Sequence, residues 1–133
     1  MKAFMPALPL QSRIFISLGA LSAASSVALS AAAAHLPVLQ AGASTLQTAL
    51  GQQQFHALGL IAVGWLLARV RSLWLSASGA LMLLGTLLFC LNLCARLIWG
   101  WDAARAAVPW GGSAFILSWL ALGLGVWRGN RRD

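Results

Sequence analysis

Two histidines, His35 and His56, are the side chains best suited to chemistry in this chain. Each stands at the edge of an apolar run. A neutral imidazole there could ligate a metal, act as an axial haem ligand, or respond to pH. Two imidazoles without a neighbouring thiolate or carboxylate make a sparse metal set, because protein metal sites take three or four such ligands. The same rings serve more simply as hydrogen-bonding groups at helix ends, with Gln52, Gln53 and Gln54 beside them. No metal, cofactor or catalytic residue is therefore assigned from sequence.

Asn92 is the one amide deep in an apolar run, and an amide in hydrocarbon must find a partner within the protein. Arg96 lies four residues on and shares its helical face. His35, Gln52, His56, Asn92 and Arg96 thus form a candidate polar cluster. Two readings are open: a small outward-facing cavity, or a lock between helices worth about 0.6 kcal/mol per bond. The lock is the favoured one. Cys90 and Cys94, four residues apart, are expected to be small packing residues, since two thiols cannot hold a metal alone.

The acids are as informative by their scarcity. There is no Glu, and the only Asp residues are Asp102 and Asp133. No carboxylate lies in an apolar run, so a carboxylate proton relay has no members. Paired-carboxylate chemistry and a Ser-His-acid triad are equally without material. The expectation is a protein that is not an enzyme, with Asp102 in a weak surface ion pair near Arg105.

These residues must be positioned by something other than a soluble domain. Of 133 residues, 60% are hydrophobic and 8% charged, whereas a soluble domain carries about 25% charged residues. Most of the surface must therefore face lipid. The net charge of +7 does not indicate nucleic acid, because the basic residues form no stripe or cluster.

Four apolar stretches predict an all-α membrane protein, a bundle of four spans with short loops. The expected spans are about 14–34, 50–70, 73–95 and 108–127, between a segment 1–13 and a basic tail 128–133. The first, Ile14–Ala34, has 21 residues, about 31 Å as a helix against a hydrocarbon core of about 30 Å. Its Ser22, Ser26, Ser30 row and its Ala20, Ala24, Ala28, Ala32 row are small enough to let helices approach closely. The second run, Phe55–Val70, is short, so its helix is expected to begin near Thr45, where Ser44 and Gln47 fit a capping box. Ser72 is a candidate cap for the third helix. Pro109 suits the first turn of the fourth, and Gly111-Gly112 gives that turn a flexible start.

Charge sets the orientation. With four spans and a cytoplasmic N-terminus, Lys2, Arg13, Arg69, Arg71, Arg128, Arg131 and Arg132 fall on the inner side, and Arg96 and Arg105 on the outer. Both termini are therefore expected in the cytoplasm. Trp74 and Trp127 near one interface, and Trp99, Trp101 and Trp110 near the other, fit aromatic belts. Lys2, Arg13 and the small residues Ser30 to Ala34 also fit a signal peptide, but the apolar run exceeds the usual core of about 7–15 residues. A retained first span is the expectation.

One further pattern spans the chain. Ala33-Ala34-His35 closes the first run and Gln54-Phe55-His56-Ala57-Leu58 opens the second. Gly85-Thr86-Leu87-Leu88-Phe89 lies in the third, and Val108-Pro109-Trp110-Gly111-Gly112 opens the fourth, with Trp119 beyond. In this order the sequence resembles the family of small bacterial membrane proteins called domain of unknown function 423, which has a mitochondrial relative among animal transmembrane proteins. Its members typically carry Gly-Ala-His, Tyr-His-Ala-Leu, Leu-Phe-Ser-Gly, Thr-Pro-x-Gly-Gly and Gly-Trp at these places. The resemblance covers about Gly19 to Trp127. Ala33, Phe55, Cys90-Leu91, Val108 and Ser118 depart from the pattern. The resemblance implies a four-span protein of the bacterial inner membrane, with His35 retained, and no established reaction, substrate or cofactor.

The functional expectation is a structural or accessory component, packing with itself or with a larger membrane complex through its small-residue face. A transport-like or ligand-binding bundle using the polar cluster is the second reading, and a haem or metal site at His35 and His56 the third. The bilayer is the expected environment. A membrane-protein partner or a second copy is the expected contact, and nucleic acid is not.

Overall fold

A computed structural model describes residues 7–131. Lys2, Arg132 and Asp133, used above for charge, lie outside the described residues. The chain folds as α1 (Leu10–Ala33), α2 (Pro37–Ala41), α3 (Ala43–Leu67), α4 (Leu73–Gly85), a π-helical turn (Thr86–Leu91), α5 (Asn92–Trp99) and α6 (Val108–Arg128). The segments α4, π turn and α5 are continuous and make one rod of 27 residues, Leu73–Trp99. Three segments are long and apolar enough to cross a membrane: Leu10–Ala33, Leu73–Trp99 and Arg105–Arg128. The fourth long helix, α3, has comparable length, 25 residues, but is less apolar.

The helices associate as two antiparallel pairs, α1 with α3 and α4 with α6, whose seams are built from small residues. On α1 the buried positions include Ser12, Gly19 and Ser26, each seven residues apart. On α6 they include Gly111, Ser118 and Gly125, again seven apart. A heptad spacing keeps one stripe facing the partner along a left-handed pair, and small residues let the backbones close in. A Cβ placed on Gly19 would stand 2.8 Å from the Ala57 carbonyl oxygen, and one on Gly64 would stand 3.0 Å from that of Ser12. The second pair is pinned by a buried bond in which Ser78 Oγ donates to the Ser118 carbonyl at 2.7 Å. Between the pairs, Phe15, Leu60, Val63, Leu67, Leu75 and Met82 form one core.

Several local expectations change. The seam of α1 is the seven-residue row. The Ala20, Ala24, Ala28 row is exposed, because Ser12, Gly19 and Ser26 already fill the face toward α3. The capping box at Ser44 does not form. Helix α3 begins at Ala43 after Gly42, without a side-chain cap, so Ser44 is already helical. The cap at Ser72 is present, its Oγ accepting the Leu75 N–H at 3.4 Å. The third rod continues to Trp99, four residues past the expected end, and stops where Gly100 takes a left-handed φ of 65°. Gly111 is a close-approach site rather than a flexible one, since a Cβ there would stand 2.7 Å from Phe89 N.

After α6, Asn130–Arg131 pairs antiparallel with Val70–Arg71, tying the chain's end to the α3–α4 turn. Ser76 Oγ donates to Gln11 Oε1 at 3.0 Å, bringing the start of α1 to the same end. Arg13, Arg69, Arg71, Arg128 and Arg131 therefore gather at one end of the bundle. Arg96 and Arg105 stand at the other, with the short helix α2.

Candidate functional site

Helix α3 positions most of the polar interior. Its buried residues Leu46, Leu50, Gln53, Ala57, Leu60, Gly64 and Leu67 follow a strict alternation of four and three. Gln53 thus sits in line with leucines, and its partners must come from α1. They do: Gln53 Nε2 donates to the Ser22 carbonyl at 3.0 Å and to Ser25 Oγ at 2.9 Å.

His56, one turn on, is also buried. Its Nδ1 lies 2.7 Å from the Gln52 carbonyl oxygen, and Trp119 Nε1 donates to its Nε2 at 3.0 Å. An indole N–H only donates and a carbonyl only accepts. Those two partners require an imidazole with its proton on Nδ1 and a lone pair on Nε2, the neutral form. Phe115 stacks on the ring at 3.5 Å between centroids, with 14° between planes. Both nitrogens are engaged and one face is covered. Ligating a metal or haem iron through Nε2 would require breaking the Trp119 bond.

The other expected site residues are placed apart. His35 is exposed on the turn after α1. Gln52 is exposed, and it reaches His56 through its main-chain carbonyl. Asn92 is buried, and its Nδ2 donates to the Ala104 carbonyl at 2.6 Å, fastening the 100–107 loop to the bundle. Arg96 Nε donates to Asp102 Oδ1 at 2.6 Å, so Asp102 pairs with Arg96 and not with Arg105. Cys90 and Cys94 are free and buried. Among the described residues, no group of three or more His, Cys, Asp or Glu is placed to hold a metal ion.

Two cavities border the π turn. One, of about 350 Å³, has Ser22, Ser25, Gln53, His56 and Thr86 among its walls and leucines around them. The second, of about 560 Å³, is lined by Asn92 and otherwise by apolar side chains and the Ala104 segment. Leu87 and Leu91 wall both. The π turn inserts an extra residue into the helical repeat. It moves the inward face from the Leu75, Met82, Gly85 row onto Cys90, Asn92 and Cys94.

The expected cluster leaves out Gln53, Ser22, Ser25 and Trp119, although Gln53 is read from sequence as a hydrogen-bonding neighbour of the histidines and Ser22 as a small seam residue. For Gln53 the signal was present in the four-three alternation of α3. For Trp119 it was not, because its partner lies 63 positions away.

The chain is similar to known bacterial membrane proteins. Residues 29–112 match the family model described as "Protein of unknown function (DUF423)". The chain is 31% identical over 129 residues to the UPF0382 inner membrane protein YgdD of Escherichia coli (strain K12), covering 91% of this chain and 95% of that one. It is 32% identical over 114 residues to the UPF0382 membrane protein YwdK of Bacillus subtilis (strain 168), covering 83% of this chain and 93% of that one. No solved structure matches.

Proposed function

The chain belongs to the DUF423 family of bacterial membrane proteins, which supplies no reaction, and we propose that it is a non-enzymatic accessory protein of the inner membrane that packs its first helix against another membrane-spanning helix. Multi-pass insertion follows from three membrane-length apolar helices and from relatives that are inner-membrane proteins by name.

In this reading α3 crosses as well, making four spans. It contains no charged residue, and its buried Gln53 and His56 are partnered by α1 and α6. Its lower apolarity suits a helix that shows much of its surface to protein. The arginine-rich end faces the cytoplasm, which puts both termini there.

The observation that carries the proposal is the outward row Ala20, Ala24, Ala28 on α1. Helix α1 already uses Ser12, Gly19 and Ser26 toward α3, so a second small-residue row is left uncovered. Lipid tails gain nothing from small residues, whereas a neighbouring helix gains close backbone contact. The absence of any acid within the long helices, and the engaged nitrogens of His56, favour packing over catalysis or cofactor chemistry.

The test is gentle extraction of the tagged full chain, with mass measurement of what remains bound. Ala24→Phe should lose the associated helix, either a second copy or a partner chain. Leu117→Phe, on the exposed face of α6, should retain it. Association that survives Ala24→Phe, or a chain that is always alone, sinks the reading.

A further inference from the structure

The arginine-rich end of the bundle contains a hollow that offers hydrogen-bond donors and positive charge but no acid. It measures about 340 Å³ and lies between the start of α1 and the α3–α4 turn, lined by Gln11, Leu67, Arg71, Ser72, Leu73 and Ser76. Of the arginines gathered here, Arg69 is stacked on the Trp65 ring at 3.8 Å. Arg71 is exposed, and the one ion pair among the described residues, Arg96 with Asp102, stands at the opposite end. The Arg71 guanidinium is always charged and carries five N–H donors. Gln11 Oε1 accepts from Ser76 Oγ, and the Gln11 Nε2 amide makes no bond among the described residues, so both its protons are available. Ser72 Oγ accepts the Leu75 N–H and keeps its own O–H to give. Leu73, on the same wall, opens the rod Leu73–Trp99, which is long and apolar enough to cross a membrane. The hollow therefore stands at the depth of the lipid headgroups.

We infer that this hollow binds the phosphate of one anionic phospholipid, held by Arg71, Gln11 and Ser72, with an acyl chain lying along Leu73. Each part of the ligand follows from an observation. The head must be an anion, because a guanidinium, an amide N–H and a hydroxyl all have protons to give, and charged oxygens take them best. Phosphate suits the guanidinium, whose planar fork engages two of its oxygens at once. The head must lack an ammonium group, because no carboxylate lines the hollow to meet one. It must carry hydrocarbon, because Leu73 is 88% exposed beside the donors. Basic pockets between membrane helices hold anionic headgroups through the same contacts. The site is independent of the alanine row on α1 and of the side of the membrane that this end faces.

The experiment uses the purified full chain in neutral maltoside micelles with equal amounts of dioleoyl phosphatidylglycerol and dioleoyl phosphatidylcholine, and counts retained lipid by native mass spectrometry. One phosphatidylglycerol should be held, in preference to phosphatidylcholine. Arg71→Gln should lower that preference about fivefold to tenfold, the loss of one charge-assisted contact. Arg13→Gln removes the same charge at the same end but from outside the hollow, and should lower it by less than about twofold, since exposed charges at a distance are screened. Gln11→Glu is the companion variant. It keeps an acceptor for Ser76, and so the contact between α1 and α4, while replacing the donating amide by a carboxylate that repels phosphate, and it should abolish the preference. Glycerol 1-phosphate, a phosphate head without chains, should not displace the lipid at equal concentration. Equal losses in Arg71→Gln and Arg13→Gln would mean that diffuse charge alone attracts the lipid, and would overturn the proposal. Equal retention of the two lipids in the unmodified chain, or a preference that survives Gln11→Glu, would do the same. Displacement by glycerol 1-phosphate would make this a site for free phosphate and overturn the lipid assignment.

Discussion

Gly111 and Gly112 are adjacent, lie in the same turn of α6, and should respond oppositely to the same substitution. At Gly111 a Cβ would stand 2.7 Å from Phe89 N, 2.9 Å from Phe89 Cβ and 3.0 Å from Leu88 C. Two of those atoms are backbone of the π turn and cannot rotate aside. At Gly112 a Cβ meets nothing within 4 Å. Gly→Ala within a helix gains about 0.5–1 kcal/mol at either position. Forcing a methyl into a closed seam costs about 1–3 kcal/mol. Gly112→Ala should therefore stabilise by about 0.5–1 kcal/mol, and Gly111→Ala should fall below Gly112→Ala by about 1–3 kcal/mol, a net loss of up to about 2.5 kcal/mol once the helical gain is subtracted. The assay is reversible unfolding of the full chain in mixed micelles with increasing SDS. The difference between the variants is the informative quantity, because the intrinsic helical term cancels in it. Equal stabilities, or a more stable Gly111→Ala, would refute the claim that α6 and the π turn are in backbone contact.

Three further outcomes follow from the same packing. Trp119→Phe leaves His56 Nε2 without its donor and should cost about 1–3 kcal/mol in that assay; combined with His56→Phe it should show coupling of about 0.5 kcal/mol or more, and additive effects would remove the bond from the account. Ser78→Ala deletes the buried bond to the Ser118 carbonyl and should destabilise by about 0.6–1 kcal/mol, whereas no loss would mean that the second pair is held by packing alone. Asp102→Asn touches a pair whose side chains are 31% and 66% exposed, so the change should stay within about 0.5 kcal/mol, and a larger loss would mean the ion pair holds the loop.

The rods were legible because length and apolarity are local properties. Ile14–Ala34 and Val108–Trp127 read as helices from composition alone, and Leu10–Ala33 and Val108–Arg128 are the result. The Ser72 cap and Pro109 were equally local. What sequence could not give was the choice of face. On α1 three small rows compete, at spacings of four and of seven, and only contact with α3 selects Ser12, Gly19 and Ser26. Asn92 and Arg96 share a face by spacing, yet Ala104 takes one and Asp102 the other. The π turn has no marker such as Pro, and its consequence, two cavities divided by Leu87 and Leu91, was invisible for that reason.

On the proposed four-span reading, helix α3 is a span that apolarity alone understates. A membrane helix must be apolar only where it meets lipid, and elsewhere it needs its polar groups answered. On α3 the buried positions are Ala49, Leu50, Gln53, His56, Ala57, Leu60 and others reaching Leu67, against four such positions on the longer-exposed α1. The large apolar residues it leaves outward, Phe55, Leu58 and Trp65, are what a strip of lipid contact requires. Gln53 and His56 face α1 and α6, where Ser22, Ser25 and Trp119 meet them. A four-span bundle therefore predicts that its most enclosed helix will be its least hydrophobic. The measurement that decides it is thiol labelling from either side of the membrane at Thr48 and at Arg69, each changed to Cys. Opposite accessibility puts α3 across the bilayer, and equal accessibility would lay it along one face and leave three spans.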